Sequence, residues 1–206
     1  MKWKKKGIDR KKIKEAILYN KPIEDKLNVI ICISNPCEYK RRWELALDFI
    51  DRIEKEEYVN LYVIELIYPN QNFHITEQEN KRHLQIKTEI PLWHKESMLN
   101  VGIKKLLPKE WKSVAWIDAD LEFENVHWAL DTLKILNGTA DVVQLFTQAL
   151  DCDHKKNVFN IWQSSMYQYC NNMISGKGIN YWHCGYAWAC TREAYDKMGF
   201  YMMKQY

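Results

Sequence analysis

Two apolar runs stand out along the chain, within residues 28–34 and 114–117. Because neither run alternates apolar with polar residues, each predicts a strand buried on both faces, as in the middle of an α/β sheet. Residues 59–67 predict a second strand of that sheet, and residues 83–88 alternate like an exposed or edge strand. The pattern therefore favours an α/β fold.

The segments between these strands repeat apolar residues at helical spacing. The pattern predicts helices over residues 8–19, 38–55, 95–108 and 126–136, the first of them capped by Asp9. A helix between the first two strands completes a β-α-β unit with a right-handed crossover. Its predicted apolar stripe consists of Trp43, Ala46, Leu47, Ile50 and Ile53.

The second half of the chain gives weaker patterns. We predict, in order, a strand over 141–146, a polar loop over 147–156, a helix over 159–174, a flexible break over 175–178, an aromatic segment over 181–190, and a short helix that Thr191 caps and Gly199 ends. The helix over 159–174 is interpreted either as lining a cavity or as an ordinary core helix.

Composition sets the size of the fold. At 206 residues and 24.8 kDa, with 47% hydrophobic residues, the chain suits one sizeable α/β domain. No apolar run approaches the roughly 18 residues that span a bilayer, and the first residues lack the apolar stretch of a signal peptide. Six cysteines without framework spacing indicate a reducing compartment. We therefore expect a cytoplasmic protein with no transmembrane segment and no required disulfide.

The formal charge of +3 comes from the N-terminus. Residues 1–14 hold eight of the 30 basic residues and one of the 27 acids, so the remainder carries −4. Residues 1–27 are predicted to form a basic arm and helix, and residues 28–206 the folded domain. The arm can touch an anionic membrane surface, although a solvated arm explains the same charge. No nucleic-acid-binding motif accompanies it, so we expect no nucleic-acid partner.

Two aspartates, Asp118 and Asp120, follow the apolar run at 114–117. Beyond the carboxyl end of a strand they occupy the position where α/β sheets bind ligands. Carboxylates this close repel each other unless a cation lies nearby, and their hard oxygens suit Mn²⁺ or Mg²⁺. Both are therefore predicted metal ligands, with a bound diphosphate supplying further oxygens. A solvated turn is the alternative.

Residues 118–120, Asp-Ala-Asp after a buried strand, resemble the D-x-D motif of nucleotide-sugar glycosyltransferases with the GT-A fold. Residues 92–108 are similar to the helix that precedes this strand in such enzymes. Residues 182–193 and 198–200 resemble the segment that lines their acceptor side. The resemblance implies a single Rossmann-like GT-A domain, whose mixed, mostly parallel sheet is flanked by helices.

In such a domain, residues 28–123 would form the donor-binding half and residues 124–206 an incomplete acceptor-side half. The resemblance implies an inverting, metal-dependent transferase that moves a sugar from a nucleoside-diphosphate sugar to a hydroxyl of a glycan, protein or lipid. The donor-binding positions it implies are Ser34, Asn35, Pro36, Glu65, Lys95, Asn100 and Asp118. The acceptor-side positions it implies are His183, Gly185, Tyr186 and Trp188.

Each of these positions has an ordinary structural alternative. Residues 34–36 suit a polar turn, and Glu65 suits a solvent-facing strand margin. A lysine in the first turn of a helix, such as Lys95, is often only solvated. Tyr186 and Trp188 suit the core of a strand.

The general base of the reaction is not evident from the sequence. Relatives carry an acid beyond a Gly-Gly-Phe-Asp-like segment, whereas residues 198–201 read Met-Gly-Phe-Tyr and the sequence stops at Tyr206. We interpret this as a fragment, a truncated product or a protein that borrows its base. Glu193 and Asp196 are fallback candidates, with solvated helix residues as the alternative. An inactive nucleotide-sugar-binding module and a metal-dependent nucleotidyltransferase or phosphohydrolase remain open.

Overall fold

A six-stranded mixed sheet with helices on both faces forms the main body of the protein, and a second sheet has three strands. The computed structural model describes residues 9–170 and 182–198. Its helices are α1 (Arg10–Tyr19), α2 (Lys40–Ile53), α3 (Lys95–Leu106), α4 (Trp128–Leu136), α5 (Ser165–Cys170) and α6 (Arg192–Met198). Its strands are β1 (Leu27–Ser34), β2 (Val59–Ile67), β3 (His83–Lys87), β4 (Ser113–Ile117), β5 (Val142–Gln144), β6 (Gln148–Cys152), β7 (Val158–Ser164), β8 (Trp182–His183) and β9 (Ala187–Thr191).

The strand order of the larger sheet is β3-β2-β1-β4-β9-β5. Strands β1 to β4 run parallel, while β9 runs antiparallel to both of its neighbours, β4 and β5. Only β9 therefore opposes the common direction. The predicted α/β architecture, with a mixed and mostly parallel sheet flanked by helices, is confirmed at this level.

The chain reverses its direction of travel across the sheet at β1. From β1 it moves outward to β2 and β3, then returns to place β4 on the other side of β1. Helices α2 and α4 pack on one face, and α3 packs on the opposite face. In doubly wound sheets, ligands bind outside the carboxyl ends of the two strands at such a reversal. Here those strands are β1 and β4.

The burial of these two strands follows the sequence pattern. Leu27 and residues 29–31 of β1 are inaccessible to solvent, as are Val114 and Ala115 of β4. β3 lies at the edge of the sheet, as its alternation predicts, with its first four side chains half-buried and Lys87 exposed. Both apolar runs thus form the centre of the core.

The predicted stripe of α2 is wrong at one position. Leu47 is 49% exposed, whereas Phe49, which the stripe omits, is fully buried. The helix begins at Lys40 instead of residue 38, and its buried side follows Ala46, Phe49 and Ile53 at intervals of three and four residues. Leu47 lies next to Ala46 around the helix and so points away from the sheet.

The prediction for residues 147–164 is also wrong. The supposed polar loop contains β6, and the first half of the supposed helix over 159–174 is β7, followed by α5. β6 and β7 pair antiparallel, joined by a turn in which the Asp153 carboxylate accepts hydrogen bonds from the amides of Lys155 and Asn157. Branched and aromatic residues such as Val158 and Phe159 favour this extended pairing.

Some sequence predictions fall outside the described residues. They concern the end of the helix over 159–174, the break at 175–178, Tyr181 and the helix end at Gly199. The short helix after Thr191 is confirmed, because α6 begins at Arg192 and the Ala194 amide donates to the Thr191 hydroxyl at 3.2 Å.

Helix α1 is capped by Asp9, as predicted, and packs against α4. The Asp9 side chain accepts from the amides of Lys11 and Lys12. Asn20, at the end of α1, donates to the carbonyl of Lys134 at 3.1 Å. Within the described part of the chain, we find no helix with the length and apolar character needed to cross a bilayer.

Candidate functional site

Asp118 and Asp120 lie directly beyond the carboxyl end of β4, beside the reversal at β1. The Asp118 amide donates to the Tyr186 carbonyl at 2.8 Å, which extends the β4–β9 pairing by one bond. The Asp118 carboxylate is half-buried and Asp120 is exposed. The strand therefore delivers both carboxylates to the edge where ligands of such sheets bind.

Lys95, the first residue of α3, forms an ion pair with Asp118. Both side chains are 30% exposed, so the pair is only partly shielded from solvent. The sequence suggested no such pair, because 22 residues separate the two positions. Among the described residues, the carboxylate thus pairs with Lys95 and remains partly open to solvent.

Burial first, and then an imbalance of charge, disfavour the ionised form of Asp120. Desolvation by the surrounding protein raises the pKa of Asp120 although its side chain reaches solvent, and the negative charge of Asp118 raises this pKa further. Lys95 and Arg42 lower the same pKa but do not reverse the shift. A divalent cation would relieve this imbalance.

The ligand chemistry fits Mg²⁺ or Mn²⁺ in kind but is incomplete in number. Both aspartates offer hard oxygens, which these cations prefer. Across residues 9–170 and 182–198, no three His, Cys, Asp or Glu side chains converge on a possible metal position. A cation bound here would take its remaining oxygens from water or from a ligand such as a diphosphate.

At the end of β1, the donor-side candidates mainly build a turn. The buried Asn35 side chain donates to the Tyr39 carbonyl at 2.9 Å and accepts from the Tyr39 amide at 3.0 Å. The Ser34 carbonyl accepts from Arg42, and the exposed Pro36 presents its carbonyl to Gln71. The Asn35 side chain is therefore committed to the protein.

A small pocket opens between the ends of β1 and β2. It is lined by Ile33, Asn35, Trp43, Glu65, Leu66, Ile67, Gln71 and Asn72. The rim of this region includes Trp43 stacked on His74, with ring centroids 4.0 Å apart. The pocket itself has room for about one water molecule.

Glu65 is not the solvent-facing residue that the ordinary alternative described. It is 2% exposed, and its carboxylate accepts from the amides of His74, Ile75 and Thr76 and from the Thr76 hydroxyl, at 2.7–3.0 Å. These four bonds fix the segment after β2, which the sequence left without structure. A single acid within an apolar strand could have predicted these bonds, because a buried carboxylate requires hydrogen-bond donors.

Asn100 lies on the buried side of α3, 3% exposed. Its side-chain oxygen accepts from the Tyr195 hydroxyl at 3.0 Å, which is the compensating interaction that a poor helix former requires. The Asn100 amide nitrogen has no hydrogen-bond partner among the described residues. Its two N–H groups are therefore unused donors on the α3 side of the sheet.

The acceptor-side candidates form an aromatic cluster before β9. The rings of His183 and Tyr186 stack with centroids 3.9 Å apart, and Phe146 meets Tyr186 edge to face. The space beside Gly185 is occupied by His183, since an added Cβ would lie 2.7 Å from the imidazole Cε1. The Trp188 indole donates to the Cys184 carbonyl at 2.8 Å. Tyr186 thus lies at the centre of the cluster.

Two further residues of this cluster were missed by the sequence analysis. Asp151 on β6 accepts from the Tyr186 hydroxyl at 2.8 Å and from the Trp162 indole on β7 at 2.6 Å. The sequence pattern predicted a loop at Asp151 and a helix at Trp162. The strand alternation that turns both side chains inward was therefore not recognised. The exposure pattern of β6 alternates along the strand, with Asp151 on its inward side.

Glu193 and Asp196, on α6, lie at the opposite edge of the sheet from the aromatic cluster around Tyr186. Because β9 runs antiparallel to β4, its start at Ala187 lies beside Ile117, whereas its end lies beside Ser113. Helix α6 follows that end, so both acids lie at the edge opposite Asp118. Each is ion-paired within its own helix, Glu193 with Lys197 and Asp196 with Arg192.

Comparison with known proteins adds no family to this description. No protein-family model matches the sequence, and neither the curated proteins nor the solved structures contain a match. The function is therefore inferred from the residues and geometry of the site.

Proposed function

We propose that this protein is a metal-dependent glycosyltransferase with a Rossmann-like GT-A domain, acting on a nucleoside-diphosphate sugar. The observation that supports this most directly is the position of Asp118 and Asp120, two neighbouring carboxylates at the carboxyl end of β4 beside the topological reversal. The acceptor would be a hydroxyl of a glycan, protein or lipid, and we propose that the protein acts in the cytoplasm.

The residues around the reversal would divide the work of binding the donor. Asp118 and Asp120 would hold Mn²⁺ or Mg²⁺, which supplies charge neutralisation for the departing diphosphate. Lys95 would turn its ammonium from Asp118 toward a phosphate oxygen, acting as a point charge. The turn after β1, with Ser34 half-buried and Pro36 exposed, would contact the nucleoside.

On the other side of β4, the aromatic cluster would contact the acceptor. Aromatic faces pack against the apolar faces of sugar rings, and polar groups at their margins fix orientation. Tyr186 and His183 present such faces next to the strand that ends in Asp118. Donor and acceptor would therefore meet across the start of β9.

The proposal can be tested by ligand-dependent thermal stability. A ligand that binds only the folded state raises the unfolding temperature by mass action. We expect UDP or GDP to raise it in the presence of Mn²⁺, and Asp120→Asn to abolish that increase. Asp48→Asn, an exposed acid on α2, is the matched control and should leave the increase unchanged.

An assay of product release separates this proposal from a nucleotidyltransferase. Release of pyrophosphate from a nucleoside triphosphate, without release of UDP or GDP from a nucleotide sugar, would favour the latter. If neither nucleoside diphosphate shifts the unfolding temperature with Mn²⁺, the glycosyltransferase proposal fails.

A further inference from the structure

We propose that Asp151 is the general base that removes the proton from the acceptor hydroxyl. This assignment rests on the proposed glycosyl transfer and supplies the group that the sequence left unassigned. It is carried by the contacts of the carboxylate, by its connection to Asp118 and by the topology of β9.

The Asp151 carboxylate is held in one orientation but retains acceptor capacity. Its Oδ1 accepts from the Tyr186 hydroxyl and its Oδ2 from the Trp162 indole, both neutral donors. A carboxylate has about four lone-pair positions, so two bonds leave room for a substrate hydroxyl. Within the described parts of the chain, no Lys, Arg or His forms an ion pair with it.

One residue connects this carboxylate to the predicted metal site. Tyr186 bonds Asp151 through its hydroxyl and Asp118 through its carbonyl, each at 2.8 Å. Its φ of +66° lies in the left-handed region, which a residue with a large side chain rarely adopts. Such backbone strain persists where the surrounding contacts over-determine it, and it is concentrated at functional sites.

The surroundings of Asp151 are those of a sugar subsite. The Trp162 ring lies near His183, with centroids 5.4 Å apart, and His183 stacks on Tyr186. These rings place apolar surface next to the half-buried carboxylate. A carboxylate flanked by aromatic faces can accept a hydroxyl proton while the ring of the sugar packs against the aromatic surface.

The direction of β9 favours Asp151 over the acids of α6. The start of β9 lies at the edge that bears Asp118. Tyr186 directly precedes this start, and its hydroxyl donates to Asp151. Glu193 lies beyond the end of β9 at the opposite edge. A base must reach the proton that it abstracts, so position is the first criterion.

In the proposed step, the acceptor oxygen forms a bond to the anomeric carbon while the bond from that carbon to the diphosphate oxygen breaks. The electron pair of the broken bond leaves with the diphosphate, and the acceptor proton passes to Asp151. No oxidant or further reactant is required. A single displacement of this kind inverts the anomeric centre.

The test compares diphosphate release with diphosphate binding in purified full-length protein. Release of UDP or GDP is measured with Mn²⁺ and UDP-glucose, UDP-galactose, UDP-N-acetylglucosamine or GDP-mannose, using methyl glycosides and water as acceptors. Binding is measured with Mn²⁺ and UDP or GDP alone. We expect Asp151→Asn to lower kcat by about 10²- to 10⁴-fold while the dissociation constant of the nucleotide changes less than about twofold.

Three further variants distinguish a base from a structural residue. Sodium formate should restore part of the activity of Asp151→Ala, because a small carboxylate can enter the vacated space. Tyr186→Phe should lower kcat less than Asp151→Asn does, since the carboxylate itself remains. Asp51→Asn, an exposed acid on α2, is the control and should retain wild-type kcat.

The outcomes separate this assignment from the broader proposal. Normal nucleotide binding and normal kcat in Asp151→Asn would overturn the assignment and leave the glycosyltransferase proposal intact. Equal losses of binding and kcat, or a raised KM with unchanged kcat, would also overturn it. If the wild type binds UDP or GDP but releases neither from any nucleotide sugar, the base assignment is overturned. If the wild type binds neither nucleotide, both proposals are overturned.

Discussion

The main-chain amide of Asp118 donates a 2.8 Å hydrogen bond to the carbonyl of Tyr186. This bond lies one position beyond the last β4–β9 pair, Ile117 with Ala187. The left-handed backbone of Tyr186, with φ of +66°, turns the chain into β9 at this point. The predicted metal site and the aromatic cluster are therefore joined through the main chain.

Replacing Lys95 should change metal and nucleotide binding in opposite directions. In Lys95→Met, Asp118 loses its internal cation, so we expect Mn²⁺ alone to bind more tightly. In the presence of saturating Mn²⁺, UDP or GDP should bind at least about tenfold more weakly, because a charged hydrogen bond contributes about 1.5–3 kcal/mol. Isothermal titration of each ligand measures both effects.

Lys112→Met, an exposed lysine before β4, is the matched control for this experiment. It should change neither affinity. Parallel weakening of Mn²⁺ and nucleotide in Lys95→Met would contradict the role assigned to this lysine.

The raised pKa of Asp120 gives the site a defined pH dependence. Mn²⁺ must displace the proton that this carboxylate retains to higher pH than a free aspartate does, so affinity should rise as pH increases through that pKa. In the metal-free protein, the free energy of unfolding changes with pH in the opposite direction to the Mn²⁺ affinity. Ionisation costs more in the folded state, so the stability contribution is present below the unfolded pKa and is lost as pH rises toward the folded pKa.

Mn²⁺ titrations and urea unfolding between pH 4 and pH 7, in wild type and Asp120→Asn, measure both slopes. The variant should lose the part of each slope that belongs to this carboxylate. A wild-type Mn²⁺ affinity that stays constant across this range would exclude Asp120 as a titrating ligand.

Glu65→Gln should destabilise the fold even without any ligand. The glutamine amide can present only one acceptor oxygen to the four donors that the Glu65 carboxylate now satisfies. We expect the free energy of unfolding to fall by about 3 kcal/mol, because buried donors lose a charged partner. Urea denaturation measures this value.

Glu44→Gln on the exposed side of α2 is the comparison, and it should cost less than about 1 kcal/mol. If Glu65→Gln kept full stability and lost only nucleotide binding, Glu65 would be a donor ligand instead of a structural residue.

The corrected face of α2 can be tested by a pair of core substitutions. Phe49→Ala should lower the free energy of unfolding by about 3–5 kcal/mol, because it opens a cavity in a fully buried position. Leu47→Ala should cost less than about 1 kcal/mol, since the side chain is already 49% exposed. Similar losses in the two variants would contradict the assigned orientation of the helix.

Much of the larger sheet was predictable because burial on both faces demands a continuous apolar run. β1 and β4 satisfy that demand with residues adjacent in sequence, and the first β-α-β unit follows from local periodicity. The edge position of β3 was predictable from its alternation. The smaller sheet was not, because β6 and β7 are short and half-exposed, so their patterns resemble a loop and an amphipathic helix.

By itself, the sequence determined that the protein is α/β and that Asp118 and Asp120 follow a buried strand, since these features depend only on neighbouring residues. Tertiary structure decided which side chains meet them. The direction of β9 brings Tyr186, whose hydroxyl bonds Asp151, beside Asp118 and carries Glu193 to the opposite edge, while α3 brings Lys95. Strand direction and long-range pairing depend on how the whole chain buries its apolar surface, so no local pattern could have specified these contacts.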